Sequence, residues 1–476
     1  MQVTKKIGLL LGPLLFLTIV NLPAFLVSEK GDAVIAVALW MVIWWITETL
    51  HIAVTALLPL ILFPLLKVMP IADVGANYGS PIIFLFFGGF VLALALEKVN
   101  LHKRIALNIV KLTGTTPNKV VLGFMLATAF MSMWISNTAS TVVMLPIAIS
   151  VIKLLIDDED GFTKADKNFA LSIMLGIAFA ANAGGIATVI GTPPNSVLIG
   201  LLENQYNIQI SFLSWMSFGL PFSIIMIAAV YFVLVKWMFP CKDIVLTSSA
   251  NVIDDEINNL GKISKEEKRV LTIFAITVFL WITRTIINAL FPGLKLSDTV
   301  ISLIGAVSLF AIPMNFKKGN FILQWKDTDR LAWGILILFG GGLALAKGMA
   351  SSGLVGLITD TIAAGNFHIL FTVSLLIVLM LFMTELMSNV ALVAVLAPVV
   401  AGIAIGLNIP ILNVLIPVTM ASSCAFMLPM ATPPNAIVFA SGYVKVKEMV
   451  KAGIVLNIIA VGLLILYYQF VIPLFV

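Results

Sequence analysis

Two short polar interruptions stand inside long apolar runs: Ser136-Asn137-Thr138 within 119–152 and Ser388-Asn389-Val390 within 368–405. Each is followed by a second break of one type, Gly191-Thr192-Pro193-Pro194-Asn195 after the first and Ala431-Thr432-Pro433-Pro434-Asn435 after the second. A helix that stops inside an apolar phase exposes backbone N–H groups at its start and carbonyls at its end, carrying partial charges of about half a unit. The N–H end, with Asn and Thr side chains beside it, suits an anion. The carbonyl end, with a Ser oxygen, suits a small hard cation such as sodium. Pro193-Pro194 and Pro433-Pro434 each remove two donors and forbid a regular helix. Setting each break against its tip gives two cation cages around one anion site. A lone Ser or Thr in a membrane helix would more simply bond its own i−4 carbonyl, and a lone Pro would kink the helix. Four breaks paired at matching spacing argue against that simpler reading.

Composition fixes the solvent of these breaks. Of 476 residues, 61% are hydrophobic and 11% charged, with a mean hydropathy of +1.11. Soluble domains carry about 25% charged residues, so the chain is expected to be a multi-pass membrane protein. A bilayer core holds no water for freed backbone groups, so broken helices persist there only where protein or a wet cavity compensates them.

Length and flanking breakers give spans at 7–27, 32–50, 52–67, 81–99, 169–202, 212–239, 269–291, 297–313, 331–364, 410–443 and 450–475, with breaks at 190–195 and 429–435. The runs 119–152 and 368–405 are read as re-entrant hairpins. A single helix over 119–152 would measure on the order of 50 Å, against a hydrocarbon core of about 30 Å. Lys111 and Lys119 precede the first run and Lys153, Lys164 and Lys167 follow it, which puts both its ends in the cytoplasm. The N-terminus is then cytoplasmic and the C-terminus external. Only Lys30, Lys67 and Lys295 fall outside, with Arg284 and Lys347 inside spans.

An internal repeat supports this parity. The run Ile83 to Gly89 (IFLFFGG) resembles Ile335 to Gly341 (ILILFGG), and Phe130-Met131 before the first tip matches Phe382-Met383 before the second, both at an offset of 252. The copies are separated by an odd number of spans and so face opposite ways. Such an inverted-topology repeat places its site near the midplane, where the copies meet.

Other chemistries find no support in the sequence. Cys241 and Cys424 suggest no disulfide framework, and His51, His102 and His368 are scattered without metal-ligand spacing. Gly340-Gly341-Gly342 lacks the Lys spacing of a phosphate loop, so transport energy is expected from an ion gradient. An intramembrane enzyme would need a nucleophile and base, and a channel would need a continuous polar pore. Among the intramembrane charges, Glu48 and Lys347 lie near span ends and can snorkel. Glu385 is placed to orient the second hairpin, and Arg284 has no evident partner in the sequence.

The segment from Ser422 to Val438, SSCAFMLPMATPPNAIV, resembles the signature of the divalent anion:sodium symporter family, the sodium-coupled dicarboxylate, citrate and sulfate carriers. The Ser-Asn-Thr tips match that family too, and the resemblance spans essentially the whole chain. It implies an all-α membrane protein of about eleven transmembrane helices plus two re-entrant hairpins. It also implies a homodimer in the cell membrane, each protomer pairing a scaffold with an elevator-like transport domain. The expected division is 1–80 N-terminal and scaffold, 81–211 first transport half, 212–330 scaffold, 331–449 second transport half and 450–476 C-terminal scaffold.

By that resemblance Ser132, Ser136, Asn137 and Gly191 form one sodium site, and Thr384, Ser388, Asn389 and Ala431 the other. Asn137, Thr138, Thr192, Asn389, Val390, Thr432 and Pro433 meet a small dianionic substrate. Val390 stands where the family's bacterial dicarboxylate pattern has Thr. The expected activity is sodium-coupled symport of C4-dicarboxylates such as succinate, malate or fumarate. A sodium-independent dicarboxylate exchanger, or a carrier of citrate, tartrate or sulfate, is the alternative. The bilayer, sodium and the substrate are the expected partners, with no nucleic acid.

Overall fold

The computed structural model describes residues 3–22, 28–114, 116–156, 163–241, 249–315, 320–365 and 367–474. It is helical throughout except for a short antiparallel ladder between Pro313–Asn315 and Asn320–Phe321. The first half runs α1 (Val3–Asn21), α2 (Glu29–Ile46), α3 (Ile52–Thr55), α4 (Leu58–Leu65), α5 (Ile71–Tyr78), α6 (Pro81–Lys98), α7 (Leu101–Thr113), α8 (Pro117–Ser132), α9 (Asn137–Ile156), α10 (Lys164–Gly185) and α11 (Pro193–Tyr206). The second half runs α12 (Phe212–Tyr231), α13 (Ser249–Asn259), α14 (Lys265–Leu290), α15 (Asp298–Ala311), α16 (Trp333–Ser351), α17 (Leu354–Ala364), α18 (Ile369–Thr384), α19 (Asn389–Gly406), α20 (Ile411–Ser422), α21 (Pro433–Ala440) and α22 (Val446–Leu466). Among the described residues, eight helices are long and apolar enough to cross a membrane.

Several expected spans are not continuous. The expected span 52–67 divides between Thr55 and Leu58 into α3 and α4; Pro59 stands in the first turn of α4, where a missing N–H costs no ladder bond, and Pro64 lies near its end. Gly353, at φ 85°, ends α16 and starts α17 inside the expected span 331–364. Asn100, at φ 57°, performs the same turn between α6 and α7. These two left-handed joints lie 253 residues apart, so the repeat includes a long helix followed by a short one. Helix α7 has no counterpart among the expected spans. Its buried Leu101, Ala106, Leu107 and Val110 alternate at helical spacing with Lys103, Arg104 and Lys111, the pattern of a half-buried amphipathic helix.

The Phe-Gly-Gly motifs serve packing. A side chain at Gly88 would run into Ser302 of α15, and one at Gly341 into the backbone of Ala56. Helix α6 therefore lies against α15, and α16 against α5 and the short helices α3 and α4. The two copies touch where Phe86 and Phe339 meet edge to face, ring centroids 5.0 Å apart. Helix α10 is the central element: 94% of its apolar window is buried, against 17% for α1 and 22% for α14. It packs against α8, α9, α12 and α21, thereby joining the first tip to the second break.

Ion pairs tie the polar ends together. Lys98–Asp327, Lys103–Glu256, Arg104–Glu267, Lys111–Asp254 and Lys167–Glu448, at 2.6–2.7 Å, each join two residues that the charge pattern places on the same side. Arg284, unassigned in the sequence, pairs with Asp298 at 3.2 Å. Asp298 also accepts the Phe212 N–H at 2.8 Å, so the pair fastens α14 to the starts of α12 and α15.

Candidate functional site

Both tips are helix–turn–helix elements whose turns fall at the expected triplets. Helix α8 stops at Ser132 and α9 begins at Asn137; α18 stops at Thr384 and α19 begins at Asn389. With 16 residues each, α8 and α18 are roughly 24 Å long, short of a core of about 30 Å. The breaks are longer than expected and lie upstream of the prolines, between Gly185 and Pro193 and between Ser422 and Pro433. Pro-Pro starts the second half of each broken helix and does not interrupt it. At N1 and N2 the missing N–H groups have no intrahelical acceptor to lose.

The first tip gathers oxygens. Ser132 Oγ lies 2.6 Å from Asn137 Oδ1 and 2.7 Å from the Ala181 carbonyl oxygen. A hydroxyl carries one proton, so it can serve only one of these two acceptors at a time. Gly191 closes the cluster: a Cβ there would stand 2.5 Å from Gly185 O and 3.0 Å from Ser132 O. Thr188 fastens break to tip, its hydroxyl donating to Met133 O at 2.6 Å and accepting the Gly191 N–H at 3.0 Å. Thr192 is buried with its hydroxyl unpartnered. Ser136 and Thr138 are exposed at the tip.

The second tip is built differently. Thr384 Oγ1 donates to Ser422 O at 2.8 Å, and Asn389 Oδ1 turns back to accept the N–H of Val390 at 2.8 Å. No hydrogen bond joins Thr384, Ser388, Asn389 and Ala431 to one another among the described residues. Val390 is 7% exposed, in contrast to the exposed Thr138. Thr432 is buried, its hydroxyl accepting from Asn182 Nδ2 at 3.1 Å, while Pro433 is exposed.

The family profile described as the sodium:sulfate symporter transmembrane region matches residues 4–476. The chain belongs to that family. It is 40% identical over 99% of its length, and 92% of the relative's, to a protein of Staphylococcus saprophyticus named sodium-dependent dicarboxylate transporter SdcS. The protein of that name in Staphylococcus aureus is 39% identical, over 98% of this chain and 91% of the relative. Among solved structures, the YdaH transporter of Alcanivorax borkumensis aligns with a TM-score of 0.57 at 14% identity, covering 84% of this chain and 88% of that one. MtrF of Neisseria gonorrhoeae aligns at 0.52 and 12% identity, covering 99% and 96%. These two structural likenesses speak for the fold alone. The symporter family is one of transporters, and no enzymatic reading is needed for the polar residues.

Within this chain, two residues do more than their sequence positions announce. Glu385, next to the tip, is buried and accepts backbone N–H groups from Phe426, Met427 and Leu428 at 2.9, 2.9 and 3.0 Å. Asn457 of α22 adds a fourth donor at 2.7 Å. One carboxylate thus takes up the donors that the unwound second break would otherwise leave orphaned. Asn182 of α10 links the copies: its Nδ2 lies within 3.1–3.3 Å of Ala425 O, Thr432 Oγ1 and Asn435 Oδ1. Its sequence signal is a single amide inside the small-residue run Ala180-Ala181-Asn182-Ala183-Gly184.

Proposed function

We propose that this protein is a sodium-coupled symporter of C4-dicarboxylates, succinate, malate or fumarate, working across the cytoplasmic membrane. The names of the two staphylococcal relatives support sodium and dicarboxylate as its cargo. The observation that carries the reading is the oxygen cluster at the first tip, where two acceptors lie 2.6 and 2.7 Å from one hydroxyl. Hard cations are held by such groups of carbonyl, amide and hydroxyl oxygens. A co-bound cation also offsets the charge of a dianion in a site with no cationic side chain at either tip.

Ser132, Ser136, Asn137 and Gly191 would hold one sodium ion, and Thr384, Ser388, Asn389 and Ala431 a second. Asn389 would have to release the Val390 N–H to join. Asn137, Thr138, Thr192, Asn389, Thr432 and Pro433 would face the substrate, with Val390 the apolar edge of its second half. Transport would follow an elevator path in a homodimer. The packing of α6 on α15 and of α16 on α5 supports keeping both helices with the scaffold. The moving halves are then narrower than 81–211 and 331–449, beginning at α8 and α18. The N-terminus would be cytoplasmic and the C-terminus external.

The test is uptake of labelled succinate by proteoliposomes with and without an inward sodium gradient, challenged with malate, fumarate, citrate, tartrate and sulfate. Sodium-driven uptake competed best by malate and fumarate is expected. Uptake indifferent to choline in place of sodium would make the protein an exchanger.

A further inference from the structure

A cavity of about 110 Å³ is lined both by residues of the first tip and break, Ser136, Gly191 and Pro193, and by Phe90, Glu97 and Arg330 at a charged corner of the molecule. Glu97 lies in the last turn of α6, and Arg330 ends the 3-10 turn Trp325–Arg330 that leads into α16. That turn is held firmly. Lys98 Nζ donates to Asp327 Oδ2 at 2.6 Å, and the same carboxylate oxygen accepts the Gln324 N–H at 2.7 Å. Arg330 itself is held loosely. Its Nη2 lies 3.8 Å from Glu97 Oε2, and its side chain is 65% exposed, so the pair is electrostatic without a hydrogen bond. The nearby Lys98, Lys103, Arg104 and Lys111 are each engaged at 2.6–2.7 Å. Among the described residues that line this cavity, Arg330 is the one cation, and it has donors to spare; a guanidinium matches a carboxylate with two parallel N–H groups.

Resting on the dicarboxylate reading above, we propose that Arg330 is the capture residue for the dianion at this mouth, receiving a substrate carboxylate in exchange for Glu97. Glu97 keeps the guanidinium over the opening when no substrate is present and competes with the carboxylate for it. The effect is one-sided. Substrate entering from the opposite face reaches the tips without passing Arg330. The orientation proposed above puts the mouth in the cytoplasm, so Arg330 serves release and reverse entry.

The experiment compares sodium-driven succinate uptake by everted and by right-side-out membrane vesicles. Arg330→Gln should raise the apparent Km about three- to ten-fold from the face that carries it. That is the range for a charge-assisted bond discounted for its exposed position. From the other face, Km and maximal rate should stay within about two-fold, which also reports on folding. Arg330→Lys should recover part of the loss, Glu97→Gln should lower Km at the same face, and raised salt should narrow the difference. Lys326→Gln, which removes an exposed charge four residues away and outside the cavity, should change neither face. An unchanged Km for Arg330→Gln, or one raised equally from both faces, overturns the capture role while the transport reading stands. Wild-type vesicles that move no succinate from either face overturn the dicarboxylate reading and this inference with it.

Discussion

Glu385 shows how much a single side chain contributes to the shape of the site. It accepts from three consecutive backbone N–H groups and from Asn457, all within 3.0 Å. Hydrogen bonds to a charged group are worth about 1.5–3 kcal/mol each, and an unmade one in a buried place costs at least as much. Gln at this position keeps the shape and one acceptor oxygen, but turns an NH2 group toward a donor. Glu385→Gln should therefore lower the initial rate of succinate uptake by about ten-fold or more, the equivalent of one such bond. Glu385→Ala, which orphans all four donors, should also fail to accumulate in the membrane. Uptake measured at matched protein level decides the matter; a Gln variant at the wild-type rate would mean that the break keeps its path without the carboxylate. The tips themselves were legible because Ser, Asn and Pro are conspicuous in apolar sequence. The partners of Glu385 and Arg284 were not, since nothing in a linear sequence singles out Asn457 for Glu385 or Asp298 for Arg284.

At the scale of the element, the site depends on two backbones approaching without a side chain between them. Gly191 sits where a Cβ would stand 2.5 Å from Gly185 O and 3.0 Å from Ser132 O. Both neighbours are main chain, so neither can rotate away. Gly191→Ala should push the first break off its tip, disperse the oxygen cluster and raise the sodium concentration for half-maximal uptake several-fold. Gly356→Ala, where a Cβ meets nothing within 4 Å, is the matched control and should leave sodium activation unchanged. A sodium curve in Gly191→Ala that overlays the wild type would remove this break from the cation site. The breaks also show what local reasoning misplaces. Pro-Pro announces where a helix cannot have been continuous, but the chain unwinds on the N-terminal side, from Gly185 and from Ser422, because proline is well suited to begin a helix. Helix α7 escaped for another reason: a short helix with a Lys and Arg face reads as a loop until its buried Leu101, Leu107 and Val110 are seen against the core.

At the scale of the whole molecule, the proposed inverted, re-entrant arrangement makes opposite demands of the two helix–turn–helix elements, and those demands can be measured. Two hairpins in oppositely facing copies must each return to the side from which they came, and those sides must differ. The ends of the first are Thr116 and Lys153, and the ends of the second are His368 and Pro410, all exposed. Pro410, at φ −53°, is a better Cys position than its neighbour Asn408, whose φ of 55° strains any residue with a side chain. With Cys241 and Cys424 replaced by Ser, single cysteines at His368 and Pro410 should both react with an impermeant reagent added to intact cells. Cysteines at Thr116 and Lys153 should react only after the membrane is opened. A spanning 368–405 segment would instead label at one end alone. That outcome would convert α18 and α19 into parts of one crossing, change the parity of every later helix and leave the C-terminus on the side opposite to the one proposed. Labelling of all four positions from outside would leave the hairpins intact but dissolve the inversion, because copies of the same orientation cannot present their tips to each other across the midplane.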